Sequence, residues 1–259
     1  MKYTALLLFI TLIIILQLNS YLLLGVWTLL SIMLYFTKLK PVKDFIVTSL
    51  LFGIGFGLYL YISAHWIEQI DSKIGYVFYS RLSLALILIP LFAQSFLQKS
   101  SFILFWKKPL WNEKIVAPFI WFGPHLIRVR WFLLIALTIN IVSFVPFIGM
   151  RGWDFVQGVL LLAAVFSLVN GVLEELIWRG AILSRFLEQF GEKWAVLLTS
   201  LGFGLQHYSL GFSWIVCAAF AAGGFFYGAI TIKSKSILPA IIWHVTLNIL
   251  MVFSGLILN

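Results

Sequence analysis

The sequence predicts an all-α protein, a polytopic bundle of about eight or nine transmembrane helices. Of its 259 residues, 62% are hydrophobic and only 10% are charged, whereas a soluble domain is about half apolar and about a quarter charged. A single soluble core cannot bury this excess of apolar side chains, so lipid must cover much of the surface. The lengths of the apolar runs and the positions of the basic residues indicate the same fold class.

Nine apolar runs along the sequence are predicted to form the membrane helices. They cover residues 3–19, 21–37, 45–64, 74–97, 131–149, 155–177, 194–210, 212–231 and 237–257. Several approach the ~20 residues that cross a bilayer, although the first two are short. No small-residue cleavage site separates the first run from the second, so we expect a retained membrane hairpin and not a cleaved signal peptide.

The basic residues predict the orientation of the bundle. With a cytoplasmic N-terminus and a crossing at each run, fifteen Lys and Arg residues fall inside. Only Lys73, Arg81 and Arg151 fall outside or near that face, which matches the positive-inside bias of membrane proteins. The net charge of +9 is therefore attributed to topology and not to nucleic-acid binding. We expect an integral, multi-pass protein of the bacterial plasma membrane with its N-terminus in the cytoplasm.

Residues 98–130 form the longest connection and divide the chain in two. Tryptophans alternate there with basic side chains, and three prolines interrupt any long helix. Aromatic and cationic side chains suit the headgroup zone of an anionic leaflet, so the expected partner of this segment is membrane lipid. The predicted organisation is a set of N-terminal helices of unassigned role (1–97), a cytoplasmic or interfacial connection (98–130) and a back section (131–257).

Acidic and basic side chains within the apolar runs of the back section indicate a candidate site. Ionisable groups are costly at membrane depth and usually face a bundle interior or a water-filled cavity. Glu175 and Arg179 are four residues apart, so they can pair along one helical face. The adjacent Glu174 points about 100° away from Glu175. Glu174 is thus left without a local cation and is free to accept a proton.

Two histidines and an asparagine extend this candidate site. His244 and Asn248 are four residues apart on one helical face. Gly191 is the predicted turn between two antiparallel helices, and Glu175 and His207 each lie 16 residues from it, which places them at a similar depth. A Glu–Arg pair or a single histidine is often structural, but the concentration of these groups within 75 residues favours one shared site.

Three motifs in this section resemble those of a known family, in both order and spacing. They are Glu174-Glu175-xxx-Arg179, Phe203-xxx-His207 and His244-xxx-Asn248. The sequence resembles the type II CAAX prenyl endopeptidase and bacteriocin-processing family, also called the CPBP or Abi family of intramembrane metalloproteases. The resemblance covers about residues 130–257 and implies a CAAX-protease-like domain over 131–257. The first 129 residues have no counterpart in it.

The resemblance implies an intramembrane endopeptidase, and the cluster of polar residues motivates the hypothesis that it cleaves near the cytoplasmic side of the membrane. In this interpretation Glu174 activates the attacking water, and Glu175 and Arg179 support the site. A carboxylate in a low-dielectric environment is a strong base, which suits that role. The expected substrate is a peptide or a lipidated or membrane-tethered protein, and the resemblance leaves open whether it carries a prenyl group.

The same resemblance implies that His207, His244 and Asn248 hold the water or a metal and stabilise the oxyanion. Zn²⁺ is the candidate cofactor, because two imidazoles and a carboxylate can bind it and activate a bound water. Whether the attacking water is metal-bound or free stays open at this point, so no residue is assigned as a metal ligand.

Two other functions stay open. A non-catalytic membrane protein, which gives immunity to a bacteriocin or scaffolds another protein, could retain the same motifs without turnover. A small-solute or proton transporter could use Glu174 as a relay, although the sequence has no inverted repeats or paired broken helices. Cleavage that depends on Glu174 distinguishes the enzyme from both alternatives.

Overall fold

The structure of the protein is a computed structural model that describes residues 2–37 and 39–257. It confirms the predicted all-α class, to which it adds one two-stranded antiparallel sheet. Each of the nine predicted apolar runs lies largely on helices. The charged and amide groups of the candidate site lie at the contacts between these helices, so the packing of the bundle determines the geometry of the site.

The front section consists of apolar helices that pack against one another and against the back section. They are α1 (Lys2–Gln17), α2 (Tyr21–Tyr35), α3 (Lys40–Ile62), α4 (Lys73–Leu82) and α5 (Ala85–Leu97). A π-helical turn extends α3 from Ser63 to Ile67. Phe9 of α1 and Phe52 of α3 are fully buried, and both rings contact Trp178 of the back section. The two sections therefore share one core.

The connection between the sections forms a β-hairpin, which the sequence analysis did not predict. Strands β1 (Lys114–Ala117) and β2 (His125–Arg128) pair antiparallel, with Lys114 opposite Arg128. The three prolines that prevent a long helix are compatible with short strands and turns. The backbone N–H of Leu110 donates to the carbonyl of Ser234 (2.8 Å), so the preceding part of the connection is fixed to the back section.

The back section consists of seven α-helices with two irregular segments between them. They are α6 (Val129–Arg151), α7 (Trp153–Gly158), α8 (Leu160–Glu175), α9 (Leu183–Phe190), α10 (Glu192–Gln206), α11 (Trp214–Ser234) and α12 (Leu238–Phe253). A π-helical segment, Leu176–Ile182, joins α8 to α9, and a 3₁₀ turn, His207–Leu210, follows α10. The predicted turn at Gly191 is confirmed: Gly191 separates α9 from α10 with a φ of +79°, which glycine adopts without steric cost.

The helices are long and apolar enough for a multi-pass membrane protein. Within the described residues, five helical stretches could cross a bilayer: Lys40–Ile67, Lys73–Leu97, Val129–Arg151, Leu160–Phe190 and Trp214–Ser234. The shorter α1, α2 and α12 are also apolar. Large apolar side chains are exposed on their outer faces, as expected where lipid is the solvent. The total of eight or nine spans stays a prediction.

Close packing between α8 and α12 depends on Gly171. A Cβ atom at this position would lie 2.8 Å from the Cγ2 of Val245 and 3.4 Å from its Cα. The absence of a side chain lets the two helices approach, as small residues do in membrane helix pairs. This approach brings the end of α8, which carries Glu174 and Glu175, next to His244 of α12.

We expect Gly171→Ala to destabilise the protein by about 1–3 kcal/mol, because the added methyl group overpacks the contact with Val245. Gly149→Ala is the control, since a Cβ at Gly149 meets nothing within 4 Å. Thermal unfolding of the two variants in the same detergent measures the difference. A midpoint for Gly171→Ala equal to that of the control would show that the two helices are not closely packed at this point.

Candidate active site

The predicted site residues come together where α8, α10 and α12 meet. All six are buried, with exposed fractions of 6% or less. Glu174, Glu175 and Arg179 come from α8 and the π-helical segment, His207 from the end of α10, and His244 and Asn248 from α12. The helices thus place residues that are far apart in the sequence around one point. Their catalytic roles stay predictions.

Glu175 and Arg179 form a completely buried ion pair. Nη1 of Arg179 donates to Oε1 of Glu175 over 2.9 Å, and both side chains are 0% exposed. Nη2 of Arg179 donates to the carbonyl of Gly224 in α11 (3.2 Å). The guanidinium also lies 4.3 Å from the ring centroid of Phe203 and 5.1 Å from that of Tyr227. Carboxylate, carbonyl and aromatic contacts together compensate for the loss of hydration of the cation.

The carboxylate of Glu174 is held by two amide side chains. Its Oε1 accepts a hydrogen bond from Nε2 of Gln206 (2.7 Å), and its Oε2 accepts one from Nδ2 of Asn170 (3.0 Å). Neither amide residue was predicted from the sequence to be part of the site. The available signals were the position of Asn170 four residues before Glu174 on the same helix, and that of Gln206 directly before His207.

The amide of Gln206 is oriented by Trp178. The indole N–H of Trp178 donates to Oε1 of Gln206 over 3.0 Å. Because an indole N–H can only donate, this bond turns the Nε2 of Gln206 towards Glu174. Trp178 is 0% exposed and is itself packed against Phe9 and Phe52. Helices of the front section thus help to position a hydrogen-bond donor of Glu174.

His244 bridges the two carboxylates. Its Nδ1 lies 2.8 Å from Oε1 of Glu175, and its Nε2 lies 3.4 Å from Oε2 of Glu174. The imidazole thus lies between the two carboxylates, and Oε1 of Glu175 is shared between His244 and Arg179. The ring of Tyr227 stacks on that of His244 at 5.2 Å.

His207 has one ring nitrogen engaged and the other available. Its Nδ1 donates to the backbone carbonyl of Phe203 over 2.8 Å, because a carbonyl can only accept. The neutral ring therefore carries its lone pair on Nε2. The ring of Phe220 stacks on the imidazole at 4.0 Å and restricts its orientation. The free nitrogen can accept a hydrogen bond from a water or a substrate.

A cavity of about 420 Å³ adjoins these groups. Its lining includes His207, His244, Asn170 and Asn248. Among the described residues, Nδ2 of Asn248 and Oδ1 of Asn170 are buried without a hydrogen-bond partner. Buried polar atoms without protein partners indicate where water or a ligand binds. Glu174 itself lies outside the lining, directly behind Asn170 and His244, with which it is in contact.

The residues do not form a preformed metal site in this arrangement. Across residues 2–37 and 39–257, no group of three or more His, Cys, Asp or Glu side chains is arranged to hold a metal ion. Both nitrogens of His244 face carboxylates, and both oxygens of Glu174 accept bonds from amides. A zinc site needs about four donors converging on one point. The steps proposed for this site therefore use only side chains and water.

Comparison with protein families identifies this part of the chain. Residues 156–250 match the family described as type II CAAX prenyl endopeptidase Rce1-like. These residues form an Rce1-like CAAX endopeptidase domain. The finding confirms the family resemblance, over a shorter range than the predicted 131–257. The Rce1-like domain contains all six predicted site residues together with Asn170 and Gln206. No curated protein and no solved structure matches the chain.

We expect Gln206→Leu to lower the free energy of unfolding by about 1–3 kcal/mol, because it leaves the Trp178 N–H and an oxygen of Glu174 buried without partners. Gln98→Leu, at an exposed position after α5, is the matched control. Denaturation of the two variants in detergent measures the difference. If Gln206→Leu is as stable as the control, the amide does not connect Trp178 to Glu174 in the native protein.

Proposed function

We propose that this protein is an intramembrane endopeptidase of the CAAX prenyl protease type. It hydrolyses a peptide bond of a membrane-associated substrate with water activated by Glu174. The observation that carries the proposal is the arrangement of Glu174, His207, His244 and Asn248 at one buried cavity within an Rce1-like domain. Membership of that family is itself typical of an intramembrane protease.

In the first step, a water at the inner end of the cavity loses a proton and attacks the peptide carbonyl carbon. Nε2 of His207 accepts a hydrogen bond from this water and orients it. The proton passes to Glu174, which contacts the cavity-lining residues His244 and Asn170. A base placed near the attacking water contributes about 10²–10⁴-fold to such a reaction.

In the second step, the negative charge that develops on the carbonyl oxygen needs a hydrogen-bond donor. Nδ2 of Asn248 is buried, lines the cavity region and has no partner among the described residues, so it is available to donate to this oxyanion. The proton held by Glu174 then moves to the departing amine nitrogen as the C–N bond breaks. The products are a carboxylic acid and an amine.

The buried ion pair has a positioning role in this proposal. Glu175 accepts from Arg179 and lies 2.8 Å from Nδ1 of His244, so it determines which ring nitrogen faces Glu174.

We further propose that the N-terminus lies in the cytoplasm of a bacterial cell and that eight or nine helices cross the plasma membrane. The distribution of basic residues supports the orientation. Trp106 and Phe122 of the connection are 66% and 58% exposed and lie among lysines and arginines. This composition suits contact with lipid headgroups.

We expect Glu174→Gln to reduce cleavage of membrane-tethered peptides by about 10²–10⁴-fold, because the amide cannot accept the proton of water. Glu192→Gln is the matched control, since Glu192 lies at a helix start, 3.9 Å from Lys233 and Lys235. The assay uses purified protein in proteoliposomes with a tethered peptide library, and mass spectrometry of the products. Full activity of Glu174→Gln would exclude this mechanism.

The alternative, a non-catalytic membrane protein for bacteriocin immunity or scaffolding, is favoured by one observation. Glu174 is only 2% exposed and lies behind the cavity wall with both oxygens hydrogen-bonded. A purely structural network would have this arrangement. In that case the wild-type protein cleaves no peptide, and folded Glu174→Gln protein keeps its biological effect in cells.

The zinc predicted from the sequence has a direct test. If His207 and His244 bind Zn²⁺ in the native membrane, zinc copurifies with the wild-type protein and is lost from His207→Ala and His244→Ala. His125→Ala is the control, because His125 lies at the end of β2, outside the site. Elemental analysis of the purified proteins measures the content. Equal zinc in all four proteins would contradict binding by these histidines.

A further inference from the structure

The cavity at the Rce1-like domain has one wall from the front section. Tyr76 and Arg81 of α4 line it together with His207, His244 and Asn248. Both α4 residues lie outside residues 156–250, so they are an addition of this chain to the matched domain. Arg81 is the group of interest, because it brings a guanidinium into a cavity whose other lining residues carry no fixed positive charge.

Arg81 has no anionic partner in the part of the chain that the structure describes. It forms no salt bridge there, and its buried Nε has no hydrogen-bond partner. Its one specific contact is with the ring of Phe166, whose centroid lies 5.2 Å from the guanidinium carbon. This environment contrasts with that of Arg179, whose charge is balanced by Glu175.

The position of Arg81 makes an unpaired charge costly. Lys73 is the first residue of the apolar stretch Lys73–Leu97. Arg81 lies about 12 Å further along the helix, within this stretch. An arginine within such a stretch usually pairs with an anion or faces a water-filled cavity that leads to one. The guanidinium offers a planar fork of N–H donors that matches a carboxylate in two parallel hydrogen bonds.

We propose that Arg81 binds a carboxylate of the peptide substrate and thereby selects which peptides the site accepts. The carboxylate is either the C-terminal group of the peptide or an Asp or Glu side chain. The inference rests on the proposed peptidase function, in which the scissile bond lies near His207 and Asn248 in the same cavity. Binding at Arg81 then fixes the distance from the anionic group to the bond that is cleaved.

Protection from an arginine-specific reagent tests this binding without requiring turnover. Phenylglyoxal modifies accessible guanidinium groups, and mass spectrometry of the Glu174→Gln protein measures the extent at Arg81. Three random hexapeptide pools are compared: free C-terminal acids without Asp or Glu, C-terminal amides without Asp or Glu, and C-terminal amides that contain Asp or Glu. We expect protection by one or both carboxylate pools and none by the uncharged amide pool.

The pattern of protection separates the two sources of the carboxylate. Protection by the first pool assigns the terminal carboxylate, and protection by the third assigns a side chain. Equal protection by all three pools, or by none, overturns the proposal. Protection by anionic phosphatidylglycerol vesicles without peptide also overturns it, because the anion at Arg81 would then be a lipid phosphate.

Kinetics provide the second readout. We expect Arg81→Gln to lower kcat/KM for the carboxylate pool that protects by about 10- to 100-fold relative to its effect on the uncharged pool. For the same carboxylate pool, kcat/KM of Arg81→Lys should lie between the values of the wild type and of Arg81→Gln, since an ammonium keeps the charge but lacks the planar fork of N–H donors. Lys73→Gln, at the exposed start of the same helix, is the control. If wild-type protein cleaves no pool, the proposed function fails, and the protection pattern still decides the role of Arg81.

Discussion

The buried pair of Glu175 and Arg179 is the interaction on which the arrangement of this site depends. A charge at 0% exposure inside an apolar bundle is stable only with a partner at close range. The pair also connects helices, because Arg179 donates to Gly224 of α11 and Glu175 contacts His244 of α12. Removing either partner would leave the other buried and uncompensated. The requirement for charge balance therefore keeps α8, α11 and α12 in one relative position.

The front section, although outside the Rce1-like domain, contributes to the same site by packing. Phe9 and Phe52 hold the indole of Trp178, which orients Gln206, which in turn donates to Glu174. The series of contacts runs from the aromatic rings to the indole N–H of Trp178, and from there to the amide of Gln206. Residues 156–250 therefore share one packed core with the front section.

The features that were predictable from the sequence are those that local spacing determines. The apolar runs predicted the helices, and the four-residue spacing of Glu175 and Arg179 predicted their ion pair. The glycine between Phe190 and Glu192 gave the turn. These three features follow from the period of an α-helix or from the backbone freedom of glycine. None of them requires knowledge of the neighbouring helices.

The features that were not predicted depend on contacts between distant segments. Only the fold places Nε2 of Gln206 2.7 Å from Oε1 of Glu174. The β-hairpin at 114–128 is short, and its pairing is fixed by tertiary context more than by strand propensity. Arg81 was predicted from the sequence to be one of the few basic residues on or near the outer side. Its place in the cavity wall follows from the packing of α4 beside α8, which no local pattern encodes.

These observations together divide the chemistry of the site between the two sections. The Rce1-like domain supplies two carboxylates, two imidazoles and an amide to the site. The front section supplies the guanidinium of Arg81 in the wall of the adjoining cavity. Arg81 forms no salt bridge with the residues that the structure describes. If the proposed function holds, an anionic group on the substrate would be its counter-ion, and substrate choice would depend on helices outside residues 156–250.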